Sequence, residues 1–86
     1  MSEEELRDLL MDVLMEIAPD IDATELETGE DLREQTEIDS MDFLNFAIAV
    51  YERTGVEIAE SDYPKLVSID ALVAYVGARL AGAVEP

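Results

Sequence analysis

The stretch Glu37-Ile38-Asp39-Ser40-Met41-Asp42-Phe43-Leu44 sets one hydroxyl between two carboxylates, where an acidic, irregular segment gives way to an apolar helical run. Asp39 suits a helix N-cap, because its carboxylate can accept from the free backbone N–H groups of the first turn. Asp42 stands three residues on, where a capping box places its acidic partner. Ser40 then opens the helix, near the positive end of the helix dipole, where a phosphate ester is electrostatically favoured. As a nucleophile Ser40 has no support. The chain contains no histidine and no cysteine, no lysine lies nearby in sequence, and no Gly-rich phosphate loop is present. Imidazole triads, thiol chemistry, disulfides and cysteine–histidine zinc sites are excluded. A hydroxyl at a helix start, in a domain too small to catalyse much, suits covalent modification by another protein. The expectation is therefore not an enzyme.

Charge narrows the partners. Five basic residues against 22 acidic ones give a formal net charge of -17. Phosphate backbones and anionic lipid are repelled, so nucleic acid and membrane surfaces are excluded as partners. The same field favours solubility and fast encounter with basic protein surfaces. Hydrophobic residues make up 49% of the chain and are patterned, unlike those of a disordered acidic tail. Glu3, Glu4, Glu5 and Asp8 stand where a secretory signal needs basic residues. No apolar run is long enough to span a bilayer. A cytoplasmic monomer is expected.

The elements that must position Ser40 follow from spacing. Leu6, Leu9, Leu10, Val13, Leu14 and Ile17 mark one face of a first helix, which Ser2 and Glu5 open as a capping box and Pro19 ends. From Asp20 to Ile38 no period holds, and Ile21, Leu26, Leu32 and Ile38 are the anchors of a long loop. Asp20, Asp22, Thr24 and Asp31 have part of the spacing of a calcium loop. Glu25, however, stands where the sharp turn needs glycine, and Asp31 replaces the bidentate glutamate, so these carboxylates read as surface and no metal site is expected. The second helix runs from Ser40 to about Arg53, with Gly55 as its C′ residue. It is apolar nearly all round. Met41, Leu44, Ile48, Ala47 and Tyr51 make its inward stripe; Phe43 and Phe46 then flank it, packing under the loop or on the last helix, or face outward toward a partner. Val56-Glu57-Ile58 is a short extended piece, and Glu60 to Tyr63 begin a short helical turn that tolerates Pro64. Ser68 caps a last helix whose face is Ile69, Leu72, Val73, Val76 and Leu80, with Gly82 as its stop. The fold class is all-α, a small four-helix bundle: three main helices plus a short third one, with a long loop between the first and second, in one domain over 1–86.

At this point the chain resembles the acyl carrier protein family. Asp39-Ser40-Met41-Asp42 is similar to that family's Asp-Ser-Leu motif. The segment FLNFAIAVYERTGVEIAESDY looks like the family's second helix, short loop and third helix, and KLVSIDALVAYV looks like its fourth. The resemblance implies that Ser40 carries a 4′-phosphopantetheine arm, transferred from coenzyme A by a phosphopantetheinyl transferase. The arm would hold an acyl group as a thioester and present it to acyl-loading and acyl-transferring enzymes of fatty-acid, polyketide or specialised lipid biosynthesis. It further implies that Asp39, Met41, Asp42, Phe43, Asn45, Glu52 and Glu60 serve transferase and partner recognition, and that Leu44, Ile48, Ile58 and Val73 line an acyl pocket between the helices. Three departures bear on this. Glu37 stands where the family has glycine, Met41 replaces leucine at similar volume, and the middle of the second helix offers Phe43, Asn45 and Tyr51 in place of acids. Recognition is thus expected to lean on apolar contact, with a narrow partner set. The alternatives are an aminoacyl or peptidyl carrier, and an unmodified acidic helical docking module.

Overall fold

A computed structural model describes residues 2–22 and 24–81. Four α-helices and one 3₁₀ helix follow in order: α1 (Glu3–Ile17), α2 (Leu32–Gln35), α3 (Ser40–Thr54), the 3₁₀ helix (Glu60–Lys65) and α4 (Ile69–Ala81). No strand occurs among the described residues.

The first helix forms as its spacing predicts. The Glu5 amide donates to Ser2 Oγ at 3.1 Å and the Ser2 amide to Glu5 Oε1 at 2.9 Å, so the capping box is closed in both directions. Those bonds from Ser2 hold the Glu5 carboxyl below its usual range. Leu6, Leu10, Val13 and Leu14 are buried, and α1 packs against both α3 and α4. Two ion pairs tie the same helices at their rims: Arg7 with Asp70 of α4 at 3.3 Å, and Arg53 of α3 with Glu16. Such exposed pairs contribute little energy each; the apolar interior carries the stability.

The long loop is more structured than its lack of period suggested. Asp31 caps the single turn of α2, accepting from the Arg33 amide at 2.7 Å, and buries Leu32 behind it. Gln35 closes the loop on itself, its amide exchanging two hydrogen bonds with the backbone of Glu27 at 2.6 and 2.8 Å. The backbone then stitches to the start of α4: Leu32 N–H donates to the Val67 carbonyl at 2.7 Å, and Asp70 N–H to that of Thr28 at 2.9 Å. Asp22 takes the Thr24 amide and hydroxyl at 2.9 and 2.6 Å, which lowers its pKa and makes it a turn-former. The loop therefore delivers the chain to Asp39 along a fixed path, with Ile38 buried as its last anchor.

Gly55 ends α3 in the left-handed conformation (φ +77°), its amide bonded to the Tyr51 carbonyl at 2.8 Å. Ser68 caps α4 through the Ala71 amide at 3.1 Å, and Ile69, Leu72, Val73 and Val76 are buried as the spacing required. The expected stop at Gly82 lies outside the described residues.

The face that α3 turns inward departs from expectation. Phe43, Phe46, Ala47 and Val50 are buried. Met41, Ile48 and Tyr51, read as inward, are 64, 49 and 53% exposed, and Leu44 is half-buried. Both sets recur at helical spacing, so periodicity alone could not choose between them. Packing does: the two phenyl rings remove far more apolar area from water than Met41 and Ile48 could. Of the two positions open to Phe43 and Phe46, the structure takes the packed one.

Candidate functional site

Ser40 is exposed, as the first residue of α3. Asp39 is the N-cap: its Oδ1 accepts from the Asp42 amide at 2.9 Å, while Asp42 Oδ2 accepts from the Asp39 amide at 3.4 Å. This reciprocal box fixes the backbone on both sides of the hydroxyl, and the Phe43 amide closes the first helical bond onto the Asp39 carbonyl at 3.0 Å. The amides of Ser40 and Met41 make no hydrogen bond among the described residues. Two unpaired donors beside an exposed hydroxyl, at the positive end of a four-turn helix, fit a phosphodiester on that oxygen. Ser40 itself has no base beside it: its carboxylate neighbours are held to the backbone as caps.

From this corner an apolar strip runs down the outer side of α3. Met41, Leu44, Ile48 and Tyr51 succeed one another at intervals of three or four residues, so they share one face. Asn45 and Glu52 are exposed alongside, Glu52 lying about 18 Å along the axis from Ser40. Glu60 is exposed on the 3₁₀ helix, on a separate element. Met41, Asn45 and Glu52 of α3 and its cap Asp39 are thus exposed, while Asp42 is partly buried.

Two expectations need correction. Phe43, read as a recognition residue, is 4% exposed; its ring lies 5.0 Å edge-on to Tyr63 and 5.9 Å from Phe46, so it belongs to the interior. Nor do the four residues expected to line an acyl pocket converge. Ile48 faces water, Leu44 is half-buried beside it, and Ile58 and Val73 are closed into the core. The cause is the rotation of α3 already described, which carries Leu44 and Ile48 outward.

A polar network that the sequence analysis missed joins the 3₁₀ helix to α4. Tyr75 donates its hydroxyl to Asp62 Oδ2 at 2.8 Å and accepts from the Ala59 amide at 3.3 Å. Arg79 lies 3.6 Å from the centre of the Tyr75 ring and 3.8 Å from the same Asp62 oxygen. The visible signal was Tyr75 and Arg79 at i, i+4 on one helix. Tyr63, on the same 3₁₀ helix, has its phenol pushed up in pKa by burial and then by the charges of Glu60 and Glu57.

No helix among the described residues is long and apolar enough to cross a membrane. The family model for the phosphopantetheine attachment site matches residues 4–76. A curated acyl carrier protein of Campylobacter hominis is 36% identical over 73 residues, covering 85% of this chain and 86% of that one.

Proposed function

Because this chain belongs to the acyl carrier protein family, carriers rather than catalysts that bear a covalent 4′-phosphopantetheine arm, we propose that Ser40 is its attachment point and that the outer face of α3 is where partner enzymes dock. The observation that carries this reading is the exposed Ser40 hydroxyl at the first position of α3, framed by the Asp39–Asp42 capping box. When bound, the arm supplies a terminal thiol that holds an acyl group as a thioester. The chain's own part is to present and to orient. The capping box holds the hydroxyl clear of the bundle, and the free amides of Ser40 and Met41 meet the negative charge of the phosphodiester.

Docking draws on two features that lie side by side. The strip of Met41, Leu44, Ile48 and Tyr51 begins next to Ser40, so a partner that covers it also receives the arm. Asp39, Glu52 and the net charge of -17 surround that strip with negative potential. A matching partner has an apolar groove with basic residues on its rim. The transferase and the acyl-loading enzyme share this surface in the same sense.

Ile48→Asp on the loaded carrier tests it. The substitution lies on the exposed face, so folding is retained, and transfer of the acyl group to a cognate acyl-accepting enzyme should fall at least about tenfold as an apolar contact is replaced by a buried charge. Transfer at the wild-type rate would remove α3 from the docking surface. Loading with acyl against aminoacyl donors in the same assay separates the acyl carrier from the aminoacyl carrier.

A further inference from the structure

The space between α3 and the 3₁₀ helix is filled and fastened. Phe43 and Tyr63 stand edge to face across it at 5.0 Å, with Ile58 and Leu66 buried in the same core. The 3₁₀ helix buries none of its own residues fully, and no side chain caps its start. Apolar burial is therefore a weak hold on it. The stronger hold is polar: the Tyr75 hydroxyl grips both Asp62 and the Ala59 amide, and Arg79 backs the Tyr75 ring and the Asp62 carboxylate together. Two side chains one turn apart on α4 thus clasp both the entry and the first turn of the 3₁₀ helix.

We propose that this carrier keeps its acyl group outside the helical bundle, because the Phe43–Tyr63 pair plugs the interior and the Tyr75–Asp62–Arg79 clasp holds the 3₁₀ helix shut over it; its cargo is accordingly a short or polar acyl group. The inference rests on Ser40 as the attachment point. A cleft of about 710 Å³ does open between the end of α1, the long loop and the start of α3, with Ile38 and Asp42, two residues to either side of Ser40, in its lining. It is no berth for a long alkyl chain, since Asp20, Glu25, Glu34, Glu37 and Asp42 line it among its apolar side chains. An alkyl chain laid there would strip water from carboxylates without replacing their hydrogen bonds. A short acyl group gains only about 0.8 kcal/mol per methylene from burial, so little is lost when it stays in water, where a partner reaches its thioester directly.

The test has two arms. On the unmodified protein, amide hydrogen exchange is followed at Asp62 and Leu66, which donate to the carbonyls of Ala59 and Tyr63 within the 3₁₀ segment. Tyr75→Phe keeps the ring under Arg79 and removes only the hydroxyl. It should speed exchange at these amides about tenfold and leave Leu72 of α4 unchanged. Asp62→Asn, which keeps an acceptor for Tyr75 but loses the charge facing Arg79, should act in the same direction and less. Unchanged rates in both variants overturn the clasp. On the carrier loaded with an octanoyl group, backbone shifts at Phe43, Ile58, Tyr63 and Leu66, and along the loop cleft, should match those of the thiol form. Hydroxylamine should cleave the thioester within about twofold of its rate for free octanoyl-pantetheine. Shift changes at either set of residues, or tenfold protection, overturn the proposal. A chain that takes up no arm, read from its mass, defeats the Ser40 assignment instead, and the exchange rates still decide the clasp.

Discussion

Replacing Phe43 and Ile48 in turn by alanine separates the two faces of α3. The two positions lie in the same helix, both carry large apolar side chains, and Ile48 is the one that periodicity first assigns inward. In the structure Phe43 is 4% exposed against Phe46 and Tyr63, while Ile48 is half in water. Truncating a buried phenyl ring costs about 3–5 kcal/mol, the edge-on contact with Tyr63 being part of that loss. An 86-residue domain has about 4–13 kcal/mol of stability in all, so Phe43→Ala should remove a large share of it. Ile48→Ala should stay within about 0.5 kcal/mol of wild type, because a surface position loses little and alanine is the better helix former. Urea unfolding followed by circular dichroism at fixed ionic strength gives both values from the midpoints, provided the slope is unchanged. Equal losses, or a larger one for Ile48→Ala, would refute the orientation of α3 and the docking face derived from it.

Three further outcomes follow from local geometry. Gly55→Ala meets no atom within 4 Å, yet forces a side chain into φ +77°, so its cost is backbone strain alone, about 1–2 kcal/mol by urea midpoint. Asp39→Ala should cost about 1 kcal/mol and slow modification of Ser40, whereas Asp39→Asn keeps the cap and should be nearly neutral in stability; a transferase that is slowed equally by both reads the charge rather than the capped geometry. The Tyr63 phenol should ionise above the ordinary value of about 10 in an absorbance titration. A raised folded pKa means that its contribution to stability is complete below the unfolded value and is lost as pH rises through the folded one; a midpoint at or below the ordinary value would contradict its half-buried position.

What the chain disclosed in advance was whatever local rules decide. The Ser2–Glu5 and Asp39–Asp42 boxes, the left-handed turn at Gly55 and the buried stripe of α4 are set by residues three or four apart, so each was visible before any tertiary contact was known. The place of Ser40 at the first position of α3 was legible for the same reason. The single turn of α2 was not, because four residues carry no period and its stability comes from Leu32 packing beneath it and from Gln35 reaching back to Glu27. The facing of α3 failed where two apolar stripes compete and the choice belongs to tertiary partners, α1 and Tyr63 among them. That single rotation also turned Phe43 from a recognition residue into core, and turned Ile48 from pocket lining into surface. The Tyr75 clasp joins side chains 13 residues apart across a turn, beyond any pattern rule.

Peptide-mapped mass spectrometry of the chain after incubation with coenzyme A and a broad-specificity phosphopantetheinyl transferase bears most directly on the whole. A mass gain of one phosphopantetheinyl group on the peptide containing Ser40, abolished in Ser40→Ala, is the expected result. An unmodified chain, or an arm found on any other hydroxyl, would contradict it.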